Sequence, residues 1–215
     1  MDEGAKVGPG GALQGPLLPL IERGQVRRLR KGAIFITEGE RGDTLFVVLS
    51  GRVQSYSVDA RGREIVYGVY GPGDMLGEMS LDGGVRSASV VALAATVCAV
   101  VTREALLQHI AQHPGFALEL IDRVIARARL ATRSARSMAL LDVYGRVVQL
   151  LESLAVAQAD GTRVIDAAPT HREIASRVGC SREMVSRLMK DLSRGGYLLV
   201  EARRTVIARG LPPRW

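Results

Sequence analysis

Cysteine is almost missing from this chain. Two among 215 residues, Cys98 and Cys180, make neither a disulfide framework nor a metal cluster. The three histidines, His109, His113 and His171, share no metal- or haem-ligating spacing, so no metal is expected. Aromatic residues are scarce at 4%, which leaves any core to aliphatic side chains. No apolar run approaches the ~18 residues of a membrane helix, so no membrane partner is expected. A basic start followed by an apolar block is also lacking, and the expected location is cytoplasmic. No nucleophile–base pair, metal-ligand set or P-loop is present, so the chain does not read as an enzyme.

What the chain has is positive charge, unevenly placed. Residues 1–114 carry 12 basic and 12 acidic side chains. Residues 115–139 carry five arginines against Glu119 and Asp122, and residues 140–215 carry 12 basic against eight acidic side chains. The whole excess of +7 therefore lies in the second half, as expected if that half neutralises phosphates and the first half binds something else.

The stretch Pro169–Gly195 explains the charge. Thr170 followed by Glu173 is a capping box and starts a helix. Ile174, Ala175 and Val178 give it one apolar face, and Gly179 stops it in a conformation suited to a sharp turn. Ser181 can cap a second helix, which buries Val185, Leu188, Met189 and Leu192 and turns Arg182, Glu183, Ser186, Arg187 and Lys190 outward. Two short helices joined by a tight turn form a helix-turn-helix, whose second helix enters the DNA major groove. An ordinary helical hairpin with solvated charges is the bland alternative. Against it, Arg182, Glu183 and Arg187 occupy the start of the second helix, where arginine can read guanine and glutamate can read cytosine. A wing then follows, with runs at Tyr197–Val200 and Thr205–Ala208 around a polar turn, Glu201–Arg204.

The first half has a different rhythm. Gly39, Gly51, Gly62 and Gly73 recur at steps of 12, 11 and 11 between runs dense in Val, Ile, Thr and Tyr. Those runs are Ala33–Ile36, Thr44–Leu49, Arg52–Val58, Glu64–Tyr70 and Ala88–Val101, a pattern that predicts a small antiparallel sandwich or barrel. Gly73–Ser89 departs from strand–turn–strand. Glu78 and Arg86 sit there among small and apolar residues, and a local salt bridge closing a loop would account for them. A pocket for a cyclic sugar phosphate would also do so. Arg86 would pair with the phosphate, Ser87 would add a hydroxyl or amide, and Glu78 would accept from ribose. N–H groups around Gly77–Met79 would favour the anion.

Between the halves, Thr102–His109 begins a helix that Pro114 and Gly115 break. A long helix follows from Phe116 to about Ala139. Its stripe Ile121, Val124/Ile125, Ala128, Ala131/Thr132, Ala135, Met138/Ala139 is a heptad-like seam on which two copies could pair. Asp142 caps a further helix expected over Val143–Ala157, with a loop over Ala159–Ala168. Leu17–Gly24 reads as a short helix, and residues 1–16, rich in Gly and Pro, as a flexible arm.

These pieces, in this order, resemble the cyclic-AMP receptor/FNR-type bacterial transcription regulators. The likeness is strongest in ALLDVYGRVVQLL (139–151) and REIASRVGCSREMVSRLMK (172–190), and LGEMSL…RSA (76–88) is similar to that family's phosphate cassette. The resemblance implies an α+β chain: a cyclic-nucleotide-binding β-roll at 17–114, a dimerisation helix at 115–139 and a winged helix-turn-helix at 140–215. It implies a homodimer that binds double-stranded DNA at a palindromic operator with TGTGA-like half-sites, and a contact with RNA polymerase. It assigns Glu78, Arg86, Ser87 and Thr132 to the effector and Arg182, Glu183 and Arg187 to base reading; the residues themselves add Gly77 and Met79 to the effector site and Thr170, Ser181 and Lys190 to the DNA face. Cyclic AMP is the favoured effector; cyclic GMP, a cyclic dinucleotide or no ligand are the alternatives. Two departures stand out. The cassette between Glu78 and Arg86 is slightly short, and Ala131–Thr132 supplies one hydroxyl where the cyclic-AMP receptor has two. The FNR branch's N-terminal cysteine cluster is absent, which removes an iron–sulfur sensor.

Overall fold

A computed structural model describes residues 17–159, 161–201 and 204–212. The expected arm at 1–16 and the centre of the wing turn, 202–203, lie outside the described residues. The chain forms two compact units. One comprises the residues up to Ser57 together with Val66–Ala126; the other comprises Val58–Ile65 and the chain from Arg127 onward.

The first unit is built on two four-stranded sheets. β1 (Gln25–Leu29), β8 (Thr96–Thr102), β3 (Thr44–Ser50) and β6 (Met75–Leu76) lie in that order in one. β2 (Ile34–Ile36), β7 (Ser89–Ala92), β4 (Val53–Val58) and β5 (Glu64–Tyr70) lie in that order in the other. β3 explains how the layers stack. Its residues are buried in an unbroken run from Leu45 to Val48 because both of its faces are covered. Phe46 and Val48 point toward the second sheet and meet Val53, Val90 and Ala92. Leu45 and Val47 point the other way, onto Leu17 and Leu20 of α1 (Leu17–Glu22), Leu106 of α2 (Arg103–Gln112) and Phe116. The single dense run expected over Ala88–Val101 is two strands, β7 and β8, separated by a turn at 93–95.

α3 runs unbroken from Gly115 to Leu140, as the absence of internal Gly and Pro permits. Phe116 anchors its first turn at zero exposure. Beyond it the apolar stripe is bare: Leu118, Ile121, Val124, Ile125 and Leu130 are each at least 41% exposed.

The second unit has its own core. α4 (Val143–Leu154) contributes Tyr144, Val147 and Leu151, α5 (His171–Val178) contributes Ile174, Ala175 and Val178, and α6 (Arg182–Arg194) contributes Val185, Leu188, Met189 and Leu192. Asp142 caps α4 by accepting from Gly145 N at 2.7 Å. The helix expected to reach Ala157 stops at Leu154. Ala155 is extended, and Val156–Ala157 is a strand, β9, paired with β10 (Arg163–Ile165) inside the stretch expected to be a loop. β10 also pairs with β12 (Arg204–Ile207), which pairs with β11 (Leu198–Glu201), so the wing belongs to a four-stranded sheet. Strand pairing competes with helix propagation here: Val156 pairs with Val164 and Ala157 with Arg163 across a short turn that contains Gly161, at φ 83°.

Candidate effector pocket and nucleic-acid interface

In the first unit the chemistry converges on Arg86. An isolated bridge between Arg41 and Val85, and backbone bonds from Arg86 N to Glu40 O (2.8 Å) and from Gly39 N to Arg86 O (2.9 Å), tie its backbone to the β2–β3 loop. Its side chain runs inward and is 7% exposed. Nη1 donates to Gly77 O (2.9 Å) and Ser80 Oγ (2.8 Å), and Nη2 to Thr44 O (3.0 Å) and Thr44 Oγ1 (2.9 Å).

Two glycines make room for the guanidinium. A Cβ on Gly42 would lie 2.4 Å from Arg86 Nε, and one on Gly77 would lie 2.5 Å from Nη1. Gly77 also has φ 88°, which a side chain would strain. Its turn leads into a short 3-10 helix, Glu78–Ser80. All four acceptor oxygens are neutral, so they take up four of the guanidinium's five N–H donors without cancelling its charge. Burial lowers the Arg86 pKa from its ordinary value; Asp43 and then Glu78 act through space in the opposite sense. A buried cation held in a glycine-lined slot suits an anionic ligand, which would have to share donors now engaged within the chain. An open depression of about 280 Å³, lined by Arg41, Gly42, Asp43 and Gly83, adjoins the slot.

The other expected effector residues are less concentrated. Glu78 is buried with Arg86 on the same cassette, at 9% exposure. Met79 and Ser87 are exposed, and Ser87 Oγ contacts Met79 Sδ at 3.5 Å. Thr132 lies in the second unit, exposed on α3, where its hydroxyl donates to Ala128 O at 3.0 Å. Sequence reasoning misses Thr44, Ser80 and Gly42. Ser80 lies inside the cassette but carries no charge to single it out. Gly42 and Thr44 are more than 40 residues upstream of Arg86, and nothing in their local pattern marks them.

In the second unit the helix-turn-helix forms at the expected residues. Both halves of the capping box are present: Glu173 N donates to Thr170 Oγ1 (3.2 Å) and Thr170 N to Glu173 Oε2 (2.7 Å). Gly179 ends α5 at φ 69°, and Ser181 Oγ caps α6 by accepting from Met184 N at 3.2 Å. Arg182, Glu183, Arg187 and Lys190 are all exposed on α6, opposite its four buried residues. Ser186 is half-buried, and its hydroxyl lies 2.9 Å from His171 Nδ1, joining the start of α5 to α6. Arg146 braces the same assembly, donating to Val178 O (2.9 Å) at the end of α5 and to Leu141 O (2.8 Å). On the wing side, the Arg209 guanidinium stacks 4.1 Å over the Tyr197 ring. None of these three braces carries a sequence signal.

Comparison with known proteins matches two stretches of the chain to families. Residues 26–113 match the cyclic nucleotide-binding domain family, and residues 145–209 match the Crp-like helix-turn-helix domain family. The CRP-like cAMP-activated global transcriptional regulator of Mycobacterium tuberculosis is 31% identical over 182 residues, covering 83% of this chain and 81% of that one. The cAMP-activated global transcriptional regulator Vfr of Pseudomonas aeruginosa is 32% identical over 191 residues, covering 84% and 88%. Among solved structures, the c-di-GMP responsive global regulator CLP of Xanthomonas campestris superposes with a TM-score of 0.77. It is 26% identical, over 91% of this chain and 99% of that one.

Proposed function

Because the chain belongs to the cyclic-AMP receptor/FNR family of bacterial transcription regulators, DNA-binding proteins with a cyclic nucleotide-binding domain and not enzymes, we propose that cyclic AMP is its effector and that it acts as a homodimer. The observation that carries the effector reading is the buried, charged Arg86 in its glycine-lined slot beside Glu78. Arg86 would hold the cyclic phosphate with Ser87, Glu78 would accept from the ribose hydroxyl, and the backbone at Gly77 and Met79 would line the anion. The family resemblance also assigns the Thr132 hydroxyl to the effector's base.

The bare stripe on α3 supports pairing of two copies, since exposed aliphatic residues in a row are costly to leave in water. Effector binding would then favour one of two arrangements of the paired chains, to the extent that it binds that arrangement more tightly. In the favoured arrangement two α6 helices would enter successive major grooves, reading an inverted repeat whose half-site centres are about 34 Å apart. Arg182, Glu183 and Arg187 would read base edges, while Thr170, Ser181 and Lys190 would hold the backbone. RNA polymerase is the proposed downstream partner.

A second reading has one observation behind it, the similarity to a c-di-GMP responsive regulator. Calorimetric titration with cyclic AMP, cyclic GMP and cyclic di-GMP, each repeated with operator DNA, tests both. Heat with cyclic AMP alone, and tighter DNA binding in its presence, is the expected result. Heat with the dinucleotide alone transfers the pocket to that ligand. Silence with all three makes Arg86 a structural arginine.

A further inference from the structure

α6 sorts its side chains sharply, with one exception. Val185, Leu188, Met189 and Leu192 face the core, and Arg182, Glu183, Arg187, Lys190 and Arg194 face outward. Met184 breaks the rule. It is a large apolar residue on the first turn, 38% exposed, standing between Glu183 and the buried Val185. It is not one of the buried residues that form the unit's core. The backbone N–H of Met184 is held by Ser181 Oγ, which fixes where the side chain leaves the helix.

The first turn of a recognition helix is the part that reaches base edges. Nearly everything a base edge presents in the major groove is a hydrogen-bond donor or acceptor, which a thioether serves poorly. The exception is the C5-methyl of thymine. Methionine suits that target, since its unbranched chain adjusts to a gap and its sulfur is polarisable.

We propose that Met184 is a specificity-determining residue that contacts a thymine methyl in each half-site, beside the bases read by Glu183 and Arg187. The inference rests on the placement of α6 given under Proposed function. Removing one methyl from such a contact is expected to cost about fourfold in affinity per half-site, the worth of one buried methylene-sized group.

The test begins with selection of binding sites from random DNA by the full chain with cyclic AMP. Each thymine of the selected site is then replaced singly by deoxyuridine, which removes the methyl and leaves the base pairing intact. The wild-type chain should lose affinity at one thymine position near the Arg187-dependent guanine. Met184→Ala should bind the thymine and deoxyuridine sites equally there, while keeping the wild-type melting temperature and the guanine preference. A deoxyuridine series that is flat for the wild type, or a loss that persists unchanged in Met184→Ala, overturns the inference. Arg187→Ala in the same selection separates the two failures. If it relaxes one guanine while the deoxyuridine series is flat, only the Met184 contact is wrong. If it alters no base preference, the placement of α6 fails and Met184 falls with it.

Discussion

Arg86 holds four oxygens of the chain as well as any ligand, so its removal should be felt twice. Arg86→Leu is expected to lose roughly 2–5 kcal/mol of nucleotide binding through the missing charge-assisted pair. It also strips the donors from Gly77 O, Ser80 Oγ, Thr44 O and Thr44 Oγ1, which costs about 1–3 kcal/mol of stability. Gly42→Ala separates these effects. The new Cβ crowds the guanidinium at its Nε and Nη2 side but leaves the arginine and its donors in the chain, so nucleotide affinity should fall while the melting temperature changes less than in Arg86→Leu. Equal nucleotide affinity in Gly42→Ala and wild type would count against the slot as the phosphate site. Glu78 and Arg86 could be picked from the sequence because an acid and a base stand out among small residues. Their support could not, because Gly42 and Thr44 reach Arg86 only through the pairing of distant strands. Cys98 gives a second test at this scale. Burial pushes its thiol up to about 11, with Arg27 pulling weakly the other way. A raised folded pKa favours the thiol form, so this stability is present below the unfolded pKa and is lost as pH rises toward about 11. At pH 8 the native chain should therefore leave Cys98 unmodified by a thiol reagent, and modification should require unfolding.

Elements with local signals were the legible ones. Thr170 and Glu173, Gly179 and Ser181 each act within four residues of themselves, so a reader of the chain can place α5, the turn and α6 to within a residue. The end of α4 is harder to place. Its apolar pattern continues past Leu154 and masks a local hairpin signal, the Asp160-Gly161 pair, across which Val156–Ala157 pairs with β10. The connection from β10 to α5 also holds a strained residue. Ala167 has φ 54°, in the left-handed region that L side chains avoid. Ala167→Gly should relieve that strain and raise the stability of the second unit by about 0.5–1 kcal/mol, the reverse of placing alanine where φ is positive. Thermal melting checks this, and a lower melting temperature would show that glycine's extra freedom in the unfolded chain outweighs the strain.

For the whole molecule, assembly and charge decide how tightly DNA is held. If α3 pairs two chains along Ile121, Ala128 and Ala135, Ala128→Glu sets like charges against each other and should give monomers by sedimentation. A dimer undisturbed by that change would place the pairing elsewhere. The positive excess lies wholly beyond residue 114, so phosphate neutralisation should dominate affinity, which should fall steeply with salt. Lys190 and Arg187 are both exposed on α6 but should respond differently. A side chain that neutralises a phosphate releases condensed counterions and carries no sequence information. Lys190→Ala should therefore weaken all sequences alike and flatten the plot of log affinity against log salt by about 0.9 for each phosphate left without its cation. Arg187→Ala should instead cost about 1–3 kcal/mol at the selected site and relax the preference at one guanine. Measuring both variants on the selected operator and on unrelated DNA across a salt series distinguishes them. If Lys190→Ala discriminates among sequences while Arg187→Ala does not, the two residues have exchanged roles, and α6 lies in the groove turned about its own axis.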